Sequence, residues 1–376
     1  MKFNPQRLTE ARHAKGMTMT HLSELLGISK QAVSIFEKGI KNPTHENIVK
    51  FSAALNVQVE FFYTPSREVQ EITTPSHFRS FKSATKKSRI KASIRESWLS
   101  EFSQTLLRNI NFPGSDVFRA DILDFTSLSN EAIEDLAVSA RKHWGLGLGP
   151  ISNVTLLLEK SGIFIGQFNM DKQVQAFSNW RGNLAYIVTE KQNSNARHRF
   201  NLAHELGHLI MHTAISDEDH EDDDLVQLKE DQANYFAGAF LFPTQPLLSE
   251  FTSCSLDSLI HLKRRWGISI AALTVRARNL GLLTENQSIY IFKQLASLPG
   301  GKTVEPLDKE TAREKPKLIS DMIDFLEKSG RVSKYDILKL LPISLEELSD
   351  VSSKSIDYFS PSEQFNNVVS FKLRAS

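Results

Sequence analysis

The chain has 376 residues, enough for two or three domains with cores of their own, and its 40% hydrophobic and 24% charged content is that of an ordinary globular protein. The net charge of +1 argues neither for nor against a nucleic-acid partner; any basic surface must be local. Cys254 is the single cysteine, which excludes an intrachain disulfide and a cysteine-based zinc site. Met1-Lys2-Phe3-Asn4-Pro5 lacks the apolar core of a signal peptide, and no apolar run approaches the ~20 residues of a membrane helix. A cytoplasmic protein without a membrane partner is expected.

The first 65 or so residues read as a compact all-helical unit. Leu8 and Ala11 mark the apolar face of a first helix that ends at Lys15-Gly16. Thr18 caps a second helix through Leu22, Leu25 and Leu26, and Gly27 closes it with a tight turn. Ser29 caps a third helix, Lys30 to Lys38, and Asn42-Pro43-Thr44 opens a fourth through Ile48, Phe51 and Leu55. Helix, glycine turn and short helix make a helix-turn-helix pattern.

This segment resembles the Xre/lambda-repressor-like family of DNA-binding domains, with Val33-Ser34-Ile35-Phe36-Glu37-Lys38-Gly39 matching its V-S-x-x-E-x-G recognition-helix pattern. The resemblance implies a structural pair between Arg12 and Glu37. Met19 departs from it, standing where many members carry a phosphate-contacting Gln. The residues expected to face double-stranded DNA are Lys30, Gln31 and Ser34, since Gln pairs with adenine edges and Lys reaches guanine or phosphate. Lys38 and Lys41 are expected phosphate contacts, which position without specifying. The resemblance also implies binding as a homodimer to a near-palindromic operator.

Pro and Thr between Thr64 and Ser76 suggest a linker, and the Lys- and Arg-rich stretch from Lys82 to Trp98 reads as a basic arm or a solvated connecting helix. A helix follows through Ile133, Leu136, Ala137 and Ala140, then a Gly147/Gly149/Pro150 loop and a helix at Ile151 to Leu158. Ile163-Phe164-Ile165 and Leu184-Ala185-Tyr186-Ile187-Val188 read as strands.

Arg199 to His208 contains H-E-x-x-H. At about 100° per residue, His204 and His208 lie on one helix face within reach of a single metal ion, with Glu205 beside them as the base for a water proton. A second helical run from Lys229 to Phe242 places Glu230 and Asn234 one turn apart, ended by Pro243. Glu230 is the candidate third ligand, and Asn234 the candidate group that orients a ligand histidine. His212 and His198 are candidates to stabilise a tetrahedral intermediate, a structural hydrogen-bonding role being an equal alternative for His212. The acidic run Asp217 to Asp224 reads as a solvated loop between the two helices.

R-F-N-L-A-H-E-L-G-H-L-I-M-H followed by E-D-Q-A-N-Y-F-A-G-A-F-L-F-P resembles the ImmA/IrrE family of zinc-dependent endopeptidases, and Val174 to Ser178 and Leu262 to Leu273 fit that family too. The resemblance runs from about Phe78 to about Leu295, with Asn201 a departure where Thr or Ser is usual. It implies a gluzincin-like site with one Zn²⁺ per chain on His204, His208 and Glu230 and Glu205 as base. It also implies a protein substrate of the helix-turn-helix repressor type, cleaved in trans or in a copy of the chain itself. The alternatives are a non-proteolytic one-component regulator whose zincin fold senses a ligand, and an antitoxin-like repressor.

Beyond Gly300-Gly301 the sequence turns charged, then gives short helices at Leu318 to Lys328 and Ser333 to Leu341 and a capped start at Ser344. The expected fold is mainly α with a small β-sheet. Its expected parts are a helix-turn-helix domain (1–65), a linker and basic helix (66–110), a zincin-like domain (111–298) and an accessory helical C-terminal region (299–376).

Overall fold

A computed structural model of the chain describes residues 2–65, 85–122, 124–171, 174–191, 194–212, 222–301 and 303–359. Most of the expected linker at 64–76 falls outside the described residues, as do residues 78–81, the acidic residues 217–221 and the end of the tail.

Four helices open the chain: α1 (Pro5–Ala14), α2 (Met19–Leu26), α3 (Lys30–Glu37) and α4 (His45–Leu55), with a 3-10 turn at Val59–Tyr63. Each helix starts on a side chain that takes an otherwise unpaired backbone N–H: Asn4 from Gln6, Thr18 from His21, Ser29 from Ala32 and Thr44 from Asn47. Gly27 has a φ of +66°, a left-handed conformation that a Cβ disfavours, and it turns α2 sharply into α3. Leu8, Leu22, Val33, Ile48, Phe51, Phe61 and Phe62 fill the space between these helices.

The helix after them, α5 (Lys86–Leu107), corrects the expectation of a solvated basic arm. Its early turns carry Lys86, Lys87, Arg89 and Lys91, but Ala92, Ile94, Trp98, Leu99, Phe102 and Leu106 are buried. Its buried polar groups find partners far away in sequence. Trp98 Nε1 donates to Glu10 of α1, and the buried Arg7 of α1 bridges Glu10 and Glu101. α5 is therefore a core helix on which the helix-turn-helix unit is docked, because leaving these charges unpaired in the interior would be costly.

Then come α6 (Asn130–His143), α7 (Val154–Lys160), and strands β1 (Phe164–Phe168), β2 (Ala176–Arg181) and β3 (Leu184–Glu190). β2, which the sequence reading did not assign as a strand, forms a hairpin with β3 across the two-residue turn Gly182-Asn183. The sheet order is β1-β3-β2, with β1 parallel to β3 (Phe164 opposite Tyr186) and β2 antiparallel to it (Ser178 opposite Ile187). Both faces are covered. Phe164, Phe168, Tyr186 and Val188 join the core shared with α5, whereas Ile165, Ala185 and Ile187 join a second core.

That second core is built by α8 (Asn195–Met211), α9 (Asp223–Leu241), α10 (Thr244–Glu250), α11 (Leu256–Trp266), α12 (Ile270–Asn279) and α13 (Glu285–Ser297). Asp222 caps α9 and Asp223 and Asp224 form its first turn, so the end of the expected acidic loop is helix, stabilised by the positive end of the helix dipole.

The C-terminal helices α14 (Leu318–Lys328), α15 (Lys334–Leu340), α16 (Leu345–Ser352) and the one-turn α17 (Ile356–Phe359) share the first core with the helix-turn-helix unit and α5 rather than standing apart. Gln58 N–H donates to the Pro342 carbonyl at 2.9 Å, and Arg95 of α5 faces Glu347 at 3.4 Å. The segment leading to α14 is pinned by buried carboxylates. Glu314 accepts from Thr155 N–H at 2.9 Å and from Arg199 of α8 at 2.8 Å, and Glu159 accepts the N–H groups of Lys317 and Leu318. Among the described residues no helix is long and apolar enough to cross a membrane.

Arg199 and Glu314 are both more than nine-tenths buried, so Glu314→Ala strands a guanidinium in the interior. The expected loss is about 3–5 kcal/mol of stability in urea denaturation. A loss below about 1 kcal/mol would show a solvated pair instead.

Candidate metal centre and nucleic-acid interface

Helix α8 carries H-E-x-x-H in its middle turns, and α9 lies against it. Gly207 permits the approach: a Cβ there would lie 3.1 Å from the Phe236 ring, closer than side chains ordinarily pack. The result brings Glu230 of α9 to the two imidazoles. His204 Nε2 lies 3.3 Å and His208 Nε2 3.4 Å from the Glu230 carboxylate, and the two Nε2 atoms are 3.0 Å apart. One ligand atom from each of the three residues falls within 4.8 Å of the others.

The hydrogen bonds behind the rings fix which nitrogen carries each proton. His204 Nδ1 is 3.0 Å from Asn234 Oδ1, an acceptor, so Nδ1 holds the proton and Nε2 presents a lone pair. On the other ring the chain is longer. Gln232 Nε2 donates to the Phe125 carbonyl at 2.7 Å, which orients its Oε1 as acceptor toward His212 Nε2 at 2.9 Å. His212 therefore offers Nδ1 as an acceptor, and His208 Nδ1, 2.9 Å away, donates to it. His208 Nε2 is left with its lone pair as well. Burial, together with the nearby His208, pushes the His212 pKa down to about 3, in keeping with this neutral form.

Two imidazole lone pairs and a carboxylate thus converge on one point, and Glu230 Oε1 is buried without a hydrogen-bond partner. Such a donor set fits a divalent cation of the zinc type, which takes nitrogen and oxygen ligands and keeps a position open in catalytic sites. Burial works to raise the Glu230 pKa, but hydrogen bonds and charge from the imidazoles in their protonated form outweigh it and hold the carboxyl well below its usual range. A bound cation takes over that role when the Nε2 lone pairs are free. Burial raises the Glu205 pKa, opposed by His208 and His204. Ser178 of β2 lies 2.8 Å from Glu205 Oε2 and holds that carboxylate in place.

A groove of about 910 Å³ opens over this cluster, lined by His204, Glu205, Glu230, Gln175 and Ala176 among others. Asn201 lines it too, with its Nδ2 buried and unpartnered. Ser178 and Gln232 were not singled out by sequence reasoning. Ser178 ends the quoted Val174 to Ser178 stretch, but only the β2 pairing aims it at α8. Gln232 lies about 200° round α9 from Glu230, off the face that spacing selects.

His198 is not brought to the cluster. It is buried with Nε2 3.0 Å from Thr155 Oγ1 and 3.2 Å from Gln167, under α7 and β1. In the helix-turn-helix unit, Lys30, Gln31, Lys38 and Lys41 are exposed and Ser34 is half-buried, all on or just beyond α3. Arg12 makes a two-pronged bond to Glu37 at 2.6 and 2.8 Å that ties α1 to α3.

Comparison with known families agrees with this geometry. Residues 8–62 match the helix-turn-helix family model (HTH_3), and residues 158–278 match the IrrE N-terminal-like domain model (Peptidase_M78). The chain is thus a DNA-binding helix-turn-helix unit fused to a metallopeptidase-type domain of a class that is zinc-dependent in general. No curated protein and no solved structure matches it.

Burial pushes the His198 pKa down to about 4. The folded state therefore favours the neutral ring, and this contribution is full above the unfolded pKa of about 6.5 and lost as pH falls toward 4. His198→Gln, which cannot take up a proton, is expected to remove roughly 3 kcal/mol of the acid destabilisation between pH 7 and 4, read from denaturation midpoints against pH. Parallel pH profiles for the two proteins would contradict a buried neutral His198.

Proposed function

We propose that the chain is a DNA-binding transcriptional regulator whose central domain is a zinc-dependent endopeptidase that cleaves a repressor-type protein, in trans or in a copy of itself. The observation that carries the reading is the set of hydrogen-bond partners behind the two imidazoles. Asn234 and the His212–Gln232 pair leave both Nε2 lone pairs facing an orphaned oxygen of Glu230.

His204, His208 and Glu230 would hold one Zn²⁺. When bound, zinc supplies Lewis-acid polarisation of a carbonyl and makes hydroxide accessible near neutral pH. Glu205 is the base. Its buried carboxylate, fixed by Ser178 at Oε2, takes a proton from water and delivers it to the leaving nitrogen. β2 is an edge of the sheet, and its first residue lines the groove. An extended peptide bound along it would gain main-chain hydrogen bonds. Asn234, His212 and Gln232 keep the imidazoles in the ligand tautomer.

At the other end of the molecule, Gln31 and Lys30 read base edges in the major groove, with Ser34 beside them, while Lys38 and Lys41 take phosphates. A homodimer on a near-palindromic operator suits a unit of this kind.

Purified protein is expected to hold about one zinc per chain by elemental analysis, with Glu230→Ala losing most of it. Glu205→Gln should keep the metal and stop cleavage of a helix-turn-helix repressor incubated with the protein. Undiminished zinc in a His204→Ala, His208→Ala double variant, or full cleavage by Glu205→Gln, would rule the site out.

In operator binding, Gln31→Ala is expected to relax base preference at one position per half-site, at a cost of about 1–3 kcal/mol. Lys41→Ala should weaken all sequences alike and flatten the salt dependence by about one unit of slope. Identical sequence preference in Gln31→Ala would remove Gln31 from base readout.

A further inference from the structure

A second cavity, of about 710 Å³, opens beside the first turns of α8, where the 150–153 loop, the end of α11 and residues 311–317 meet. Its charge is one-sided. In the extended run before α14, Glu314 and Pro316 are buried, whereas Arg313, Lys315 and Lys317 alternate with them and are exposed. That alternation sets three cations on one side of the strand-like segment. Arg264 and Arg265 line the same cavity from the end of α11.

The acids of the lining are already engaged. Glu314 is held by Arg199 and Thr155, and Glu159 accepts backbone N–H groups of Lys317 and Leu318. Arg264 and Lys315 form no ion pair among the described residues, although Arg265 has one with Glu250. In a chain with a net charge of +1, this is a local concentration of positive charge on a concave surface. Like charges held side by side repel, and a concave cationic site with low-dielectric walls focuses an attractive field for anions. Pro150, Ile151 and Leu156, the last 43% exposed, add an apolar patch to the lining beside the polar Ser152, Asn153, Asn195 and Thr311.

We propose that this cavity binds a small phosphorylated ligand, its phosphates held between Arg264 and the Lys315/Lys317 side. The volume lies within the range of small-ligand pockets. Arg199 in the lining sits five residues ahead of His204 on α8, so the ligand rests against the helix that carries the metal cluster. The inference does not depend on proteolysis.

The test is calorimetric titration of the full chain with inorganic pyrophosphate and with ATP at two salt concentrations. Saturable binding that weakens with salt is expected. An Arg264→Gln/Lys315→Gln/Lys317→Gln variant should bind about tenfold or more weakly, and a variant with the exposed Lys142, Lys293 and Lys328 changed to Gln should bind as wild type. Circular dichroism checks folding, and the single exposed-site variant Lys315→Gln gives the same direction of change if the triple variant unfolds. Repeating the titration on His204→Ala separates phosphate held at the metal centre, and unchanged binding there is expected. Tighter binding of ATP assigns the apolar patch to the base, and equal affinities assign the site to phosphate alone; both support the proposal. It is overturned by no saturable heat at millimolar ligand, by equal weakening in both triple variants, or by loss of binding in His204→Ala. It is also overturned if the cavity variant loses DNA affinity while pyrophosphate binding stays intact, which would make the cavity a nucleic-acid face.

Discussion

β3 sends alternate side chains into two different cores. Tyr186 and Val188 pack with α5 and the helices at both ends of the chain, while Ala185 and Ile187 pack under α8. A strand buried on both faces cannot slip by one residue without exchanging every contact, so its register fixes the two halves relative to each other. β2 is zipped to it from Ala176 to Arg181, and that pairing sets Ser178 against Glu205. The placement of the Glu205 carboxylate thus depends on a hairpin register, and through it on burial of aromatic side chains on the far side of the sheet.

The same framework reaches α3 of the helix-turn-helix unit. Glu37 at the end of α3 is held by Arg12 of α1, and α1 is joined to α5 by the buried Arg7, Glu10 and Trp98. Two residues before Trp98, Glu96 takes Arg181 at the end of β2 in a two-pronged bond at 2.6 and 2.7 Å. From α3 to the Glu205 carboxylate the connection consists of packed helices and buried ion pairs. Each buried pair is costly to break, because removing one partner leaves the other charged and dry.

The local chemistry was legible in the sequence, and so, through the family resemblance, was the Arg12–Glu37 pair, but most other long-range partnerships were not. The caps at Thr18, Ser29, Thr44 and Ser344, the Gly27 turn and the spacing of His204, His208, Glu230 and Asn234 are all encoded within one or two helical turns. α5 misled because its charge pattern is visible locally, whereas its partners Arg7, Glu10 and Glu347 are not, and Lys86 to Lys91 disguise a helix that is buried further on. β2 went unassigned because Ser178 and Asn179 blunt its apolar alternation, and its strand character comes from pairing with β3. The C-terminal helices carry no chemistry of their own, so nothing in their sequence tells that they complete a core begun at Phe3.

Rigid contact between two units does not by itself couple their activities. A ligand shifts an equilibrium only by its differential affinity for two arrangements, and a path of packed residues is a route only if some element on it has two states. α3, α1, α5 and β2 are joined here in one arrangement by buried pairs that resist local rearrangement. What the structure gives is a fixed relative placement: α5 holds the helix-turn-helix unit in one orientation to the groove over His204 and His208. Around the groove, Asn201 Nδ2 is buried with no hydrogen-bond partner among the described residues, so a group bound there gains most by supplying an acceptor.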